Sequence, residues 1–172
     1  MSDEFDPLVD FYGRRRLLRL RALTARLPAV QLETLYTNQT HRDYLYPNPK
    51  FLAAVQTVDG QQIGILSYGI NPLNDRLYVF QIEIQREYRR QGYGLAVLWT
   101  LSQQHGLLIM PNHITGTALD FWRQAREILR SVGGTIGEDL RFNQMEEEKA
   151  RWAHLVPEPE HLRLIREYEA SH

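Results

Sequence analysis

Between Leu77 and Gly106 the hydrophobic period of the chain changes across a pair of glycines, which restricts it to folds that join a strand directly to a helix. Leu77 to Ile84 is rich in β-branched and aromatic residues and reads as a strand. Leu95, Leu98, Trp99, Leu101 and Ser102 then recur at helical spacing through about Gln104, with a stop near Gly106. Gln85-Arg86-Glu87-Tyr88-Arg89-Arg90-Gln91-Gly92-Tyr93-Gly94 joins the two. Gly92 and Gly94 remove Cβ atoms where backbone must come close to another group, and a helix opening there leaves its first N–H groups unpaired. Those donors and the helix dipole form an anion site worth roughly 0.3–1 kcal/mol per favourable charge when exposed. A diphosphate fits it.

The flanking segments extend the same architecture. Phe51 to Val58, Asp59-Gly60 and Gln62 to Gly69 form a hairpin signature, because Asp-Gly supplies the positive φ angles of a tight turn. Asn71 to Arg76, with Pro72, reads as a second turn, so three consecutive antiparallel strands are expected. Leu107 to Met110 is a short apolar strand closed by Pro111. Thr117 to Ser131 is a helix with Leu119, Trp122, Ala125, Ile128 and Leu129 on one side, ending at Gly133-Gly134. Thr135 to Arg141 reads as a further strand. Ahead of the hairpin, Pro7 to Leu27 reads as a helix that Pro28 stops or bends, followed by a weaker helical stretch, Ala29 to Tyr36, and a loop, Tyr44 to Pro49. In the tail, Gln144 to Leu155 and Glu160 to Tyr168 read as two helices separated by Pro157 and Pro159.

A length of 172 residues suits one domain, 1–172. The 43% hydrophobic and 24% charged fractions exclude a disordered, collagenous or coiled-coil chain. The absence of cysteine excludes disulfides, thiolate nucleophiles, Cys-ligated zinc and iron–sulfur clusters, and the six histidines show no metal-ligand spacing. Apolar runs such as Gly106 to Met110 are too short for a membrane helix, and the acidic start Met1 to Asp6 is unlike a signal peptide. A cytoplasmic location is expected.

The strand-to-helix segment resembles the acyl-coenzyme A site of the GNAT superfamily of N-acetyltransferases, whose signature is Arg/Gln-x-x-Gly-x-Gly/Ala. Here it stands as Arg89-Arg90-Gln91-Gly92-Tyr93-Gly94. The resemblance continues through Leu107 to Met110, Asn112, Ala118-Leu119-Asp120-Phe121-Trp122 and Gly133-Gly134, a core of about 51–135. It implies an α/β (α+β) fold: a mixed, mostly antiparallel central sheet flanked by helices, here with extra helices at 7–27 and 144–169. It also implies acetyl- or another acyl-coenzyme A as co-substrate. By that resemblance, backbone amides of Arg89, Arg90, Gln91, Gly92, Tyr93, Gly94 and Leu95 hold the pyrophosphate, and Ile82 and Ile84 flank the pantetheine arm. The Ile84 N–H takes the thioester carbonyl, and Asn112 and Trp122 complete the cofactor contacts. The implied reaction is direct attack of an amine on the thioester.

An amine of pKa about 10.4 requires roughly 3.4 × 1.36, or about 4.6 kcal/mol, to be deprotonated at pH 7, so a general base is useful. Glu83 is the candidate by type. Alternation puts it opposite Ile82 and Ile84, and its direction relative to the thioester then depends on whether the strand carries a bulge. A strand carboxylate paired with a surface arginine is the plainer reading, and His113 and Asp120 are weaker alternatives. The family's proton donor, a tyrosine on the later helix, corresponds to Trp122, which is not a useful acid. Tyr78, Tyr93 or water substitutes, or coenzyme A leaves as thiolate, or the protein is a non-catalytic binding or regulatory member of the fold.

Charge is unevenly distributed around a net −1. Only Lys50 and Lys149 are lysines, leaving 20 − 2 = 18 arginines. Arg14, Arg15, Arg16, Arg19, Arg21 and Arg26 fall in Phe11 to Val30, which holds no acid, whereas acids outnumber bases from Glu138 onward. Glu146-Glu147-Glu148 reads as a solvated helix start that complements the dipole. A basic front and an acidic tail can bind partners or pair with each other. The partners expected are an amine acceptor, small molecule or protein, and a second copy of the chain. Nucleic acid through Arg14 to Arg26 is disfavoured by the net charge, and no membrane partner is expected.

Overall fold

The computed structural model describes residues 7–38, 50–158 and 160–171, so the loop expected at Tyr44 to Pro49 lies outside the described residues. In chain order the elements are α1 (Pro7–Ala25), β1 (Gln31–Asn38), β2 (Lys50–Gln56), β3 (Gln62–Ile70), β4 (Arg76–Ile84), α2 (Tyr93–His105), β5 (Leu108–Pro111), α3 (Leu119–Ser131), α4 (Phe142–Ala150) and α5 (Glu160–Ala170). The strands form one five-stranded sheet in the order β1-β2-β3-β4-β5. Neighbours are antiparallel except β4 and β5, which run parallel, as a crossover through α2 requires. The mixed, mostly antiparallel sheet flanked by helices is the expected fold class.

One face of the sheet carries the main core, in which Leu66, Leu77 and Val79 meet Val97 and Leu101 of α2 and Leu129 of α3. Each fully buried aliphatic side chain contributes about 1.5–3 kcal/mol, so this face dominates the favourable burial. The opposite face holds a smaller cluster of Tyr78, Met110, Leu140 and Met145, which brings α4 onto the sheet. Gly60, at φ +86°, closes the β2–β3 hairpin, as Asp59-Gly60 predicts.

Three sequence expectations change. Ala29 to Tyr36 is not helical, since Gln31–Asn38 is the edge strand β1, paired with β2. Leu32, Leu35 and Tyr36 mimic helical i, i+3, i+4 spacing because the register shifts between Thr34 and Tyr36, inserting Leu35 as a bulge. The sheet therefore has four consecutive antiparallel strands rather than three. Thr135 to Arg141 forms no strand and makes only isolated bridges, from Ile136 to Ile109 of β5 and from Leu140 to Asn112 just after it. Gln144 to Leu155 is not one helix either: α4 ends at Ala150, and a separate turn, Ala153–Leu155, follows the buried Trp152.

A second bulge governs the site. Tyr68 pairs with Val79 but Ser67 pairs with Gln81, so Phe80 is the extra residue of β4. Gly64, opposite Ile84, lets the two strands come this close: a Cβ there would overlap the Glu83 carbonyl oxygen and sit 3.1 Å from Ile84 Cδ1. Gly64→Ala is expected to cost roughly 2–3 kcal/mol of stability, as for other overpacking changes. Thermal unfolding checks this as a fall in Tm of roughly 4–12 °C; an unchanged Tm would refute the close approach.

Candidate functional site

The sheet forks beside β4. Pairing with β5 covers only Arg76 to Val79, and Asn112 N–H closes the fork with a final bond to the Val79 carbonyl at 3.0 Å. Beyond it, Phe80 to Ile84 runs on without a β5 partner. Gln85 N–H bonds the Ile63 carbonyl at 2.8 Å, so its backbone faces β3. Alternation then turns the N–H and C=O of Ile84, and of Ile82, toward the fork. Arg89 Nε donates to the Ile84 carbonyl at 2.7 Å, which leaves the Ile84 N–H as the donor directed into the opening.

The bulge at Phe80 resolves the side-chain faces. Before it, Leu77 and Val79 face α2 and α3; after it, parity is reversed and Ile82 and Ile84 join the same core face. Glu83 consequently lies on the Tyr78 and Phe80 side, opposite Ile82 and Ile84. It is exposed and accepts a hydrogen bond from Gln81 Nε2 at 3.2 Å. Pairing places Glu83 in one row with Ile65, Ala54 and Glu33 across β4, β3, β2 and β1.

The connection from β4 to α2 turns through a short 3-10 segment, Arg86–Tyr88, then Arg90 at φ +63° and Gly92 at φ +87°. Gly92 is the N-cap of α2, makes no side-chain cap, and is followed by no acid in the first turn. The first helical bond is Ala96 N–H to the Gly92 carbonyl at 2.9 Å, so the N–H groups of Tyr93, Gly94 and Leu95 have no acceptor within the helix. Arg86, Arg89 and Arg90 against Glu87 leave this turn at 3 − 1 = +2. A thirteen-residue helix with a bare, electropositive start is suited to a phosphate group. Gln91 is committed locally, donating Nε2 to the Glu87 carbonyl at 2.9 Å, and the Tyr93 ring sits edge-on to Tyr88 at 5.9 Å.

Ile82 and Ile84 thus lie on the unpaired half of β4, Arg89 to Leu95 form the turn and helix start that follow, and the Arg89 bond to the Ile84 carbonyl ties that turn to the fork. Asn112 reaches it only through its backbone, because its side chain turns to Met145 Sδ at 3.4 Å. Trp122 lies in the main core, 8% exposed. The aromatic that meets the start of α2 is its neighbour Phe121, whose Cε2 would stand 3.0 Å from a Cβ on Gly94. Leu27 Cδ2 and Pro28 Cδ, each 3.3 Å from a Cβ on Gly92, close the other side. Neither contact is signalled in the sequence except by the two glycines that make room for it.

Glu148 was also concealed by its sequence. Rather than a solvated acid, it is 5% exposed and accepts from Tyr78 Oη at 2.5 Å, from Arg151 Nη1 at 3.0 Å and from Arg76 Nη1. Asn71 Nδ2 bonds Asp75 at 2.6 Å, and Arg151 Nη2 bonds the other Asp75 oxygen at 2.6 Å, completing a strut between α4 and the β3–β4 turn. Burial, then the bond and charge of Glu148, push the Tyr78 phenol well above its ordinary pKa. Tyr78 therefore keeps its proton as a structural donor and is unsuited to be the acid that the Trp122 position lacks. Among the described residues no group of three His, Asp or Glu could hold a metal ion, and no helix is long and apolar enough to cross a membrane.

Among solved structures, a candidate acetyltransferase of Deinococcus radiodurans R1 is similar at 14% identity and a TM-score of 0.40, over 56% of this chain and 80% of that one. A nourseothricin acetyltransferase is similar at 16% identity and a TM-score of 0.36, over 58% of this chain and 72% of that one. No curated protein matches the chain. The family model of the acetyltransferase (GNAT) family matches residues 17–106, from within α1 to the end of α2. That span is 106 − 17 + 1 = 90 of 172 residues and contains β4, the turn and the bare start of α2, so the chain belongs to the GNAT family of acetyltransferases.

Proposed function

We propose that this protein transfers an acetyl or similar acyl group from acyl-coenzyme A directly to an amine. The observation that supports this reading is that β4 runs on unpaired beyond the fork, with the Ile84 N–H turned to its open edge, and leads through one short turn into a helix whose first N–H groups have no acceptor. The residues fit the group: the N–H groups of Tyr93 to Leu95 have no acceptor within the helix, Arg89 and Arg90 add positive charge, and no acid competes at the first turn. Acyl-coenzyme A supplies an activated thioester. In this reading the amides of Tyr93 to Leu95 hold its phosphates, and the Ile84 N–H stabilises charge developing on the acyl oxygen. The Ile82 and Ile84 backbones line the path between. With no cysteine in the chain, transfer goes straight to the acceptor.

The attacking amine forms its bond to the acyl carbon and gives its proton to a base, and the carbon–sulfur bond breaks with its electron pair leaving on sulfur as coenzyme A thiolate, which takes its proton from water. Glu83 is the carboxylate on the open half of β4 and takes that role, directly or through water. Glu83→Gln is expected to lower turnover roughly 10²-fold near neutral pH, with the deficit shrinking as pH approaches the amine's own pKa of about 10.4. A pH-rate profile measured by thiol release checks it, and a pH-independent loss, or none, removes Glu83 from the role. Trp122, buried where the family's tyrosine would stand, favours a second reading in which coenzyme A binds without turnover. Acetyl-coenzyme A titration followed by thiol release with an amine panel separates the two. Binding with turnover supports transfer, binding alone supports a regulator, and no binding rejects both.

A further inference from the structure

α1 and α5 expose apolar side chains on opposite ends of the chain, and their charges are complementary. The inner side of α1 rests on α3 through half-buried Leu17 and Leu20 and buried Thr24, with Arg16 Nη2 to Glu127 Oε1 at 2.6 Å and Arg21 Nε to the Ser131 carbonyl at 3.3 Å. Its outward side, at the spacing 11, 15, 18, 22, 26, carries Arg15 and Arg26 with Phe11 and Leu18, 54% and 64% exposed. Tyr12, Arg15, Arg16 and Arg19 line a groove of about 450 Å³ beside it. α5 buries no residue, and its Leu164 and Ile165 are 53% and 52% exposed. Pro7–Ala25 holds five arginines against Asp10, 5 − 1 = +4, whereas Glu158 to Ala170 holds four glutamates against Arg163 and Arg166, 2 − 4 = −2.

Among the described residues the two ends form no ion pair with each other. The ion pair of α1 goes to Glu127 of α3. Those of α5 stay local, from Arg163 to Glu160 and Glu167 and from Arg166 to Glu158. Exposed apolar side chains clustered on a helix and rimmed by charge mark a docking surface. We propose that α5 of a second copy docks on the outward face of α1, so that the chain dimerises through its basic and acidic ends. In a twofold pair each copy gives one α5 and receives one, so the contact occurs twice. Phe11, Leu18 and Leu23 interrupting the arginines favour an amphipathic, acidic helix over a nucleic acid, whose phosphates reward an unbroken basic surface. Two copies of α1 facing each other would oppose arginines to arginines.

Analytical ultracentrifugation of the full chain over a range of concentrations is expected to show a reversible monomer–dimer equilibrium. Arg15→Glu with Arg19→Glu should raise the dimer Kd roughly tenfold or more, and Glu167→Arg with Glu169→Arg in the same chain should restore it. Ile165→Asp should abolish the dimer, with circular dichroism and thermal unfolding showing that each variant is folded. A chain that stays monomeric overturns the proposal, as does a dimer indifferent to the α1 charge reversal, which would place α5 against α5. A monomer that binds duplex nucleic acid and loses it on Arg15→Glu with Arg19→Glu gives the face to nucleic acid and also overturns it.

Discussion

Replacing Gly92 by glutamate is expected to weaken acetyl-coenzyme A binding by at least about 10²-fold, or roughly 2.7 kcal/mol. Three effects act together. Gly92 sits at φ +87°, where a side-chain-bearing residue is strained by about 1–2 kcal/mol. A Cβ there would press on Leu27 Cδ2 and Pro28 Cδ, each 3.3 Å away, and tilt the turn. The third effect decides the sign. The bare start of α2 attracts any anion, so the new carboxylate satisfies the N–H groups of Tyr93 to Leu95 itself and repels a phosphate from them. Gly92→Asn is the control, since asparagine tolerates left-handed backbone and adds no charge, and it should retain most of the affinity. Isothermal titration calorimetry on both variants, with circular dichroism for folding, checks this. Unchanged affinity in the glutamate variant would move the phosphate site elsewhere.

The second large effect is structural. Glu148→Ala is expected to destabilise the fold by about 3–5 kcal/mol, because it removes one partner of a buried ion pair and strands the Tyr78 hydroxyl. For a chain of this size that is a fall in Tm of roughly 6–20 °C. Glu148→Gln preserves the shape and one acceptor oxygen and should lose less. Denaturant unfolding monitored by tryptophan fluorescence checks both; a loss below about 1 kcal/mol in the alanine variant would reduce the strut to a surface contact. The same network gives a pH dependence. Burial alone would raise Asp75, but bonds from Asn71 and Arg151 and the charges of Arg151 and Arg76 outweigh it and hold its carboxyl below the ordinary 3.8. Its folded pKa is therefore the lower one, and its contribution, full above 3.8, fades as pH falls through the folded value.

The elements that were legible are those whose signal is local. Asp59-Gly60 specified a hairpin because only a turn of defined handedness suits those residues, and the hairpin is present. Pro28 stopped α1, and Gly106, at φ +63°, ended α2. Where the sequence misled, a bulge or a distant partner was responsible. Leu35 disguised β1 as a helix, since one inserted residue converts period two into i, i+3, i+4 spacing. Glu148 belongs to an exposed-looking run of three glutamates, and its burial depends on Arg76 and Tyr78, some seventy positions away. Trp122, to which the family register gives the tyrosine position, lies in the main core, while the residue meeting the start of α2 is Phe121.

By itself the sequence determined that a strand passes through Gly92 and Gly94 into a helix with free N–H groups, because glycine, hydrophobic period and capping act within a few residues of one another. Tertiary structure alone decided that β4 parts from β5 after Val79, that the Phe80 bulge turns Ile82 and Ile84 to the core and Glu83 away, and that the basic first helix rests on α3 rather than on the acidic tail. Those outcomes depend on strand register and on which face finds a partner. Both are settled by long-range pairing, and neither leaves a mark on the residues that undergo it.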